Sequence, residues 1–271
     1  MNILVLGCGY IGSEVAALWK KRGFYVTVTA SHPEKLESLS RCAQKCVLLR
    51  SNDEEELAPL IASNDLILIT TAVDDPENYD IATSQIIRHV ALETDLPRHL
   101  IYLSTVTIYG DHNGQWVDET SELRATSDLA KTLIEAEKQI LSLQELGWHI
   151  CLLRLAEVYG PGRELSHRVK NLEGHILPGF GNHYTNMIHK LDAAAAVDYA
   201  LRHHLEGIYN LSDDEHHSRR DLYDAISQRF QLPAVKWNPS HTPLHTGNKR
   251  VSNHKVKAEG FAFRHPLRIL E

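Results

Sequence analysis

The chain has 271 residues, 43% of them hydrophobic, with a formal net charge of −7. That length and apolar content suit one large domain, or a domain with a smaller lobe, around a sizeable core. The acidic balance excludes sequence-independent nucleic-acid binding, which relies on basic surface, but leaves room for a local basic pocket that holds a phosphate.

The first segment, Met1-Asn2-Ile3-Leu4-Val5-Leu6-Gly7, lacks the basic start of a signal peptide, and its apolar run ends in a glycine turn. Asn2–Leu6 is instead a buried parallel strand by pattern. Ile11–Arg22 has helical periodicity and stops at Gly23. Tyr25–Thr29 is a second strand. Ser31-His32-Pro33-Glu34 then starts a helix, with Ser31 as cap, an early proline and an acid in the first turn. Cys46–Leu49 and Asp65–Thr71 are the third and fourth strands. Tyr79–Glu93 is a helix, His99–Ser104 a fifth strand, Ser127–Leu146 a long amphipathic helix ended by Gly147, and His149–Arg154 a sixth strand. Repeated strand–helix alternation predicts an α/β fold, a Rossmann-type doubly wound parallel sheet with helices on both faces.

After Tyr159 the pattern loosens at Gly160-Pro161-Gly162 and again at Pro178-Gly179-Phe180-Gly181. Asp192–His204 and Arg219–Phe230 are helical, and Gly207–Leu211 is a strand. The expected division is residues 1–160 as a dinucleotide-binding domain. Residues 161–271 then form a smaller substrate-binding lobe with one or two returns to the sheet. No apolar stretch reaches the ~18 residues of a membrane span. Cys8, Cys42, Cys46 and Cys151 show neither zinc spacing nor a disulfide framework, so they are expected reduced and the protein cytoplasmic. The 17 histidines are scattered. The adjacent pairs His203-His204 and His216-His217 point to different helix faces and make no metal couple. No metal, membrane or nucleic-acid partner is expected.

Gly7-Cys8-Gly9-Tyr10-Ile11-Gly12 follows the first strand and opens the first helix. Gly7 makes the tight turn, Gly9 lets the backbone approach a pyrophosphate, and Gly12 lets helix and strand pack closely. The helix N-terminus at Tyr10 and Ile11 offers N–H groups and a positive dipole end. Dinucleotide binding is the expectation. An NAD site places Asp or Glu at the end of the second strand; here the run is Val28-Thr29-Ala30-Ser31-His32, without an acid. Ser31 can donate to a 2′-phosphate, and His32 and Lys35 can supply positive charge, so NADP is favoured over NAD. Thr71 and Ala72, after the fourth strand, complete the expected cofactor-binding set.

Four segments in order resemble the extended short-chain dehydrogenase/reductase family, also called the NAD-dependent epimerase/dehydratase family. They are Ser104-Thr105-Val106-Thr107-Ile108-Tyr109-Gly110, the run Leu153 to Arg163 with Val158-Tyr159-Gly160-Pro161-Gly162, Asn186-Met187-Ile188-His189-Lys190-Leu191-Asp192, and Tyr209-Asn210-Leu211-Ser212. The resemblance implies that Thr105 orients the substrate and that Lys131 holds the cofactor ribose. Glu135 fits as an acid four residues past the lysine. It also implies a proton-relaying tyrosine four residues before that lysine, where this chain has Ser127. An aliphatic hydroxyl is too weakly acidic and too short to replace a phenol that titrates near 10. Ser127 is also a preferred helix cap. Other candidate proton carriers are Tyr109, Tyr159, His189 and Glu157, the last standing where the family motif has asparagine.

Two functions follow. One is an NADP-dependent oxidoreductase with a non-standard acid/base and a small-molecule substrate, of which a nucleotide-sugar epimerase or dehydratase is a narrower version. The other is a catalytically silent NADP(H)-binding sensor or interaction protein. The family's habit of dimerising through two helices points to Tyr79–Glu93 and Ser127–Leu146 as a possible homodimer surface.

Overall fold

The computed structural model describes residues 1–49, 54–70, 79–93, 98–241 and 247–270. Its first part alternates β1 (Asn2–Leu6), α1 (Gly12–Lys21), β2 (Tyr25–Ala30), α2 (Pro33–Leu39), β3 (Lys45–Leu48), α3 (Glu54–Ala62), β4 (Leu66–Ile69), α4 (Tyr79–Glu93) and β5 (His99–Thr105). A 3₁₀ turn at Val106–Tyr109 and the short β6 (Trp116–Val117) lead to α5 (Asp128–Ser142), a second 3₁₀ turn, and β7 (His149–Leu155). The remainder comprises β8 (Glu157–Tyr159), α6 (Leu165–Lys170), β9 (Ile176–Pro178), β10 (Met187–His189), α7 (Lys190–Arg202), β11 (Gly207–Leu211), α8 (Arg219–Phe230), β12 (Lys236–Asn238), β13 (Arg250–Val251) and α9 (His254–Ala258).

Among the described residues, seven strands form one sheet in the order β11-β7-β5-β4-β1-β2-β3. β1 pairs in parallel with β2 and β4, β2 with β3, and β4 with β5. The strand order reverses at β1, which creates the crevice where ligands bind in open α/β sheets. This is the Rossmann-type α/β fold that the alternation predicts. β4 is buried at all four positions, which is why it reads as an unbroken apolar run rather than an alternating one.

Two helix ends are among the differences from the sequence reading. α2 begins at Pro33 with His32 as its N-cap and no side-chain capping bond, so Ser31 is not the cap. Proline is pre-set for the first helical position, and that places the cap one residue later than the serine. The helix expected over Ser127–Leu146 is α-helical only to Ser142 and tightens to 3₁₀ over Leu143–Leu146.

The chain clusters into two compact units. Unit 1 comprises residues 1–104, 127–154 and 194–209; unit 2 comprises residues 105–126, 155–193 and 210–271. In unit 1, Leu4, Leu6, Ile67, Ile69 and Leu100 of the sheet pack with Ile87 of α4 and with Ala136 and Ile140 of α5. α5 buries Ala130, Leu133, Ala136, Glu137 and Ile140, a helical stripe that turns one face to the sheet. Fully burying each large aliphatic side chain contributes about 1.5–3 kcal/mol. Unit 2 has its own core around Tyr159, Leu165, Val169, Met187, Leu222, Tyr223 and Ile226. Among the described residues no helix is long and apolar enough to cross a membrane, and the four cysteines are free thiols.

Candidate functional site

In unit 1 the glycine loop leaves β1 and enters α1. Gly7 has φ of 76°, a left-handed conformation that side chains with a Cβ rarely adopt. Its N–H donates to Thr29 Oγ1 at 3.0 Å, and the Cys8 N–H donates to Thr29 O at 2.9 Å. The Thr70 hydroxyl donates to Gly7 O at 2.6 Å. A Cβ on Gly12 would lie 2.7 Å from Thr70 Oγ1 and 3.3 Å from Val5 Cγ1, so the third glycine is needed for close packing of α1 on β1 and β4.

No side chain caps α1 at Ile11. The Ser13 N–H makes an early helical bond, to Gly9 O at 3.0 Å. The N–H groups of Ile11 and Gly12 precede it at the positive end of the helix dipole. This cradle, shaped by two glycines and left uncapped, fits an anionic phosphate group. Ser31, His32 and Lys35 are exposed beyond β2, with Ser31 Oγ 2.9 Å from His32 Nδ1. Thr71 and Ala72 lie outside the described residues.

On α5, Ser127 is the N-cap; its hydroxyl oxygen accepts the Ala130 N–H at 3.3 Å. Lys131 is exposed, with Nζ 3.5 Å from Asp128 Oδ1. A surface pair of this kind contributes little to stability, so the ammonium is available for other partners.

In unit 2, Thr105 ends β5 and caps the 3₁₀ turn: its Oγ1 accepts the Thr107 N–H at 3.2 Å and lies 3.0 Å from Thr107 Oγ1. Tyr109 is fully buried and donates its hydroxyl to Asn210 Oδ1 at 2.8 Å. Tyr159 is also buried and accepts the Ile269 N–H at 3.2 Å. Burial pushes its phenol up to about 12, which makes it a weak acid at neutral pH. Glu157 is half exposed and paired with Arg168 at 2.7 Å.

His189 lies with Asp192 and His265, their ligand-type atoms within 4.8 Å of one another. The Asp192 carboxylate already accepts the Arg264 and His265 main-chain N–H groups at 2.7 and 2.9 Å and approaches the His265 ring at 2.8 Å. The trio therefore ties the C-terminal segment to the start of α7.

Two groups in unit 2 leave no signal in the sequence. Lys249 is 6% exposed and donates Nζ to Gly110 O at 3.2 Å. Burial brings its ammonium down to about 8, against the opposing charge of Asp111. Beside it, the Arg250 guanidinium lies 5.1 Å from the Trp116 ring centroid and 4.9 Å from that of Tyr184. Trp116 is 54% exposed. The β6–β13 pairing that sets Arg250 opposite Trp116 joins segments far apart in the chain, so no local pattern announces it.

The comparisons with known proteins agree with this architecture. A search of the curated proteins found no match. A conserved protein of unknown function from Silicibacter pomeroyi DSS is 26% identical, with a TM-score of 0.83 over 98% of this chain and 94% of that one. A UDP-glucose 4-epimerase from Thermus thermophilus, solved in complex with NAD, is 21% identical, with a TM-score of 0.81 over 97% and 94% of the two chains. A dTDP-glucose 4,6-dehydratase from Streptomyces venezuelae, solved as a double mutant with NAD bound, is 18% identical, with a TM-score of 0.81 over 97% and 92%. The likeness to the epimerase and the dehydratase is one of fold. The family model for the NAD dependent epimerase/dehydratase family matches residues 3–212, and the chain belongs to that family.

Proposed function

We propose that this chain is an NADP(H)-dependent oxidoreductase that acts on a small molecule and draws its proton from a group other than the residue four places before Lys131. The carrying observation is the cradle from Gly7 to Gly12, closed by Thr29 and Thr70 and left uncapped at the start of α1. The NAD in the epimerase and dehydratase structures supports a nicotinamide dinucleotide here. The absence of an acid in Val28–His32, with Ser31, His32 and Lys35 exposed there, supports the 2′-phosphorylated form.

A bound nicotinamide dinucleotide supplies hydride transfer. The loop N–H groups and the α1 dipole would hold its pyrophosphate, Ser31, His32 and Lys35 would meet a 2′-phosphate, and Lys131 would hold the ribose. Thr105 would orient the substrate. The proton would come from another side chain or from water. Arg250, between Trp116 and Tyr184, offers a charged edge for an anionic or planar substrate group.

Titration with NADPH and NADH tests the cofactor reading. NADPH should bind at least about tenfold more tightly; equal or reversed affinity removes the NADP assignment, and no binding of either removes the cofactor reading.

The engagement of Ser127 as a helix cap favours a second reading, a silent NADP(H)-binding sensor. Tight NADPH binding, without absorbance change against carbonyl, imine and nucleotide-sugar panels, selects that reading over the first.

A further inference from the structure

We propose that Cys8 and Cys42 form a reversible disulfide that couples oxidation of the protein to release of its dinucleotide. The coupling rests on the cofactor reading above; the disulfide itself does not. Cys8 stands between Gly7 and Gly9, inside the phosphate loop. Its side chain is hydrogen-bonded to that of Cys42, which lies in the turn between α2 and β3. Both are buried, at 5% and 7% exposure, so a small oxidant such as hydrogen peroxide has better access than a bulky disulfide.

The two thiols differ in character. Lys20 Nζ is pinned by three carbonyls around Cys42, donating to Ser40 O at 3.2 Å, Arg41 O at 3.1 Å and Ala43 O at 2.9 Å. The ammonium is therefore a fixed charge beside the sulfur. The Cys8 hydrogen bond foremost, with help from Lys20 and against burial, brings the Cys42 thiol down to about 7. The same hydrogen bond, followed by burial, pushes the Cys8 thiol up. Cys42 is thus the nucleophile and Cys8 the resolving thiol.

The Cys42 thiolate attacks peroxide: an S–O bond forms, the O–O bond breaks, and the leaving hydroxide takes a proton to become water. The Cys8 sulfur then gives up its proton and attacks the sulfenic sulfur. The S–S bond forms, the S–O bond breaks, and a second water departs. Two thiols are oxidised and one peroxide is reduced.

A disulfide holds its sulfurs about 2.05 Å apart, well inside hydrogen-bonding separation. Closing that gap pulls Cys8 toward Cys42. The Cys8 N–H is tied to Thr29 O at 2.9 Å and its neighbour Gly9 N–H to Gly7 O at 2.7 Å, so the pull is transmitted to the loop N–H groups that would hold a pyrophosphate.

Trypsin makes the test unambiguous. Cleavage after Arg41, Lys45 and Arg50 places Cys42 in Cys42–Lys45 and Cys46 in a separate peptide. The full chain, treated with hydrogen peroxide and mapped without reduction, should yield the Cys8 peptide joined to Cys42–Lys45. NADPH affinity should fall by about tenfold or more and return on reduction. Cys46→Ser should behave as the parent, while Cys42→Ser and Cys42→Ala should lose the response to peroxide. A Cys42–Cys46 link, or sulfinic acid on Cys42 without a link, overturns the disulfide. A Cys8–Cys42 link with unchanged NADPH affinity overturns the coupling. Failure of the reduced protein to bind any dinucleotide overturns the cofactor reading and the coupling together, and the peptide map alone then decides the disulfide.

Discussion

Replacing Glu137 with alanine is expected to destabilise the protein by about 3–5 kcal/mol, the usual cost of stripping one partner from a buried ion pair. Glu137 on α5 and Arg154 on β7 are 2% and 3% exposed. The Arg154 Nη2 donates to Glu137 Oε2 at 2.7 Å, and Nε lies 3.2 and 3.3 Å from the two carboxylate oxygens. The geometry is bidentate, which holds the helix at one angle against the strand. Alanine would leave the guanidinium charge buried without this partner, in a place where water cannot restore its solvation. Chemical denaturation of the parent and of Glu137→Ala measures the loss. Replacing both residues with methionine should cost less than the sum of the single changes, because no charge is then left stranded. A single-variant loss below about 1 kcal/mol would show that the pair is solvated or slack.

The second large effect is expected at Gly110, which closes the segment that begins at Thr105. A Cβ there would lie 2.2 Å from Arg124 O and 2.4 Å from Arg124 C, both backbone atoms. The residue also has φ of 68°. No side-chain rotation relieves such an overlap, since the Arg124 N–H is itself bonded to Tyr109 O at 3.1 Å. Gly110→Ala should therefore cost about 3 kcal/mol or more, in line with strained backbone added to overpacking. The readout is the thermal midpoint, with a drop of several degrees expected for a chain of this size. A variant that unfolds at the parent's midpoint would mean that the Arg124 segment moves freely.

Most of unit 1 is legible in the sequence because its signals are local. β1, α4 and β11 occupy the spans the pattern predicts, and the glycine loop lies where strand, turn and helix meet. α3 escapes the pattern because Pro59 sits inside it and three acids open it. Unit 2 is harder to read for a physical reason: its two-stranded pairs β8–β10, β9–β12 and β6–β13 are each only two or three residues long and join distant stretches. The Lys249–Gly110 bond spans 139 positions. Chemistry assembled over such distances leaves no spacing to find. The cap expected at Ser31 fails for the opposite reason, since two local preferences compete there and the proline prevails.

The strand order carries a consequence for how the chain is made. β11 occupies the outer position beside β7, yet more than fifty residues separate them in sequence. During synthesis β7 emerges with one row of N–H and C=O groups unsatisfied, and that row stays open until Gly207–Leu211 has left the ribosome. An open, apolar edge of this kind is a template for pairing with another nascent chain. The interval between the two strands is therefore one in which pairing with another chain competes with completion of the sheet.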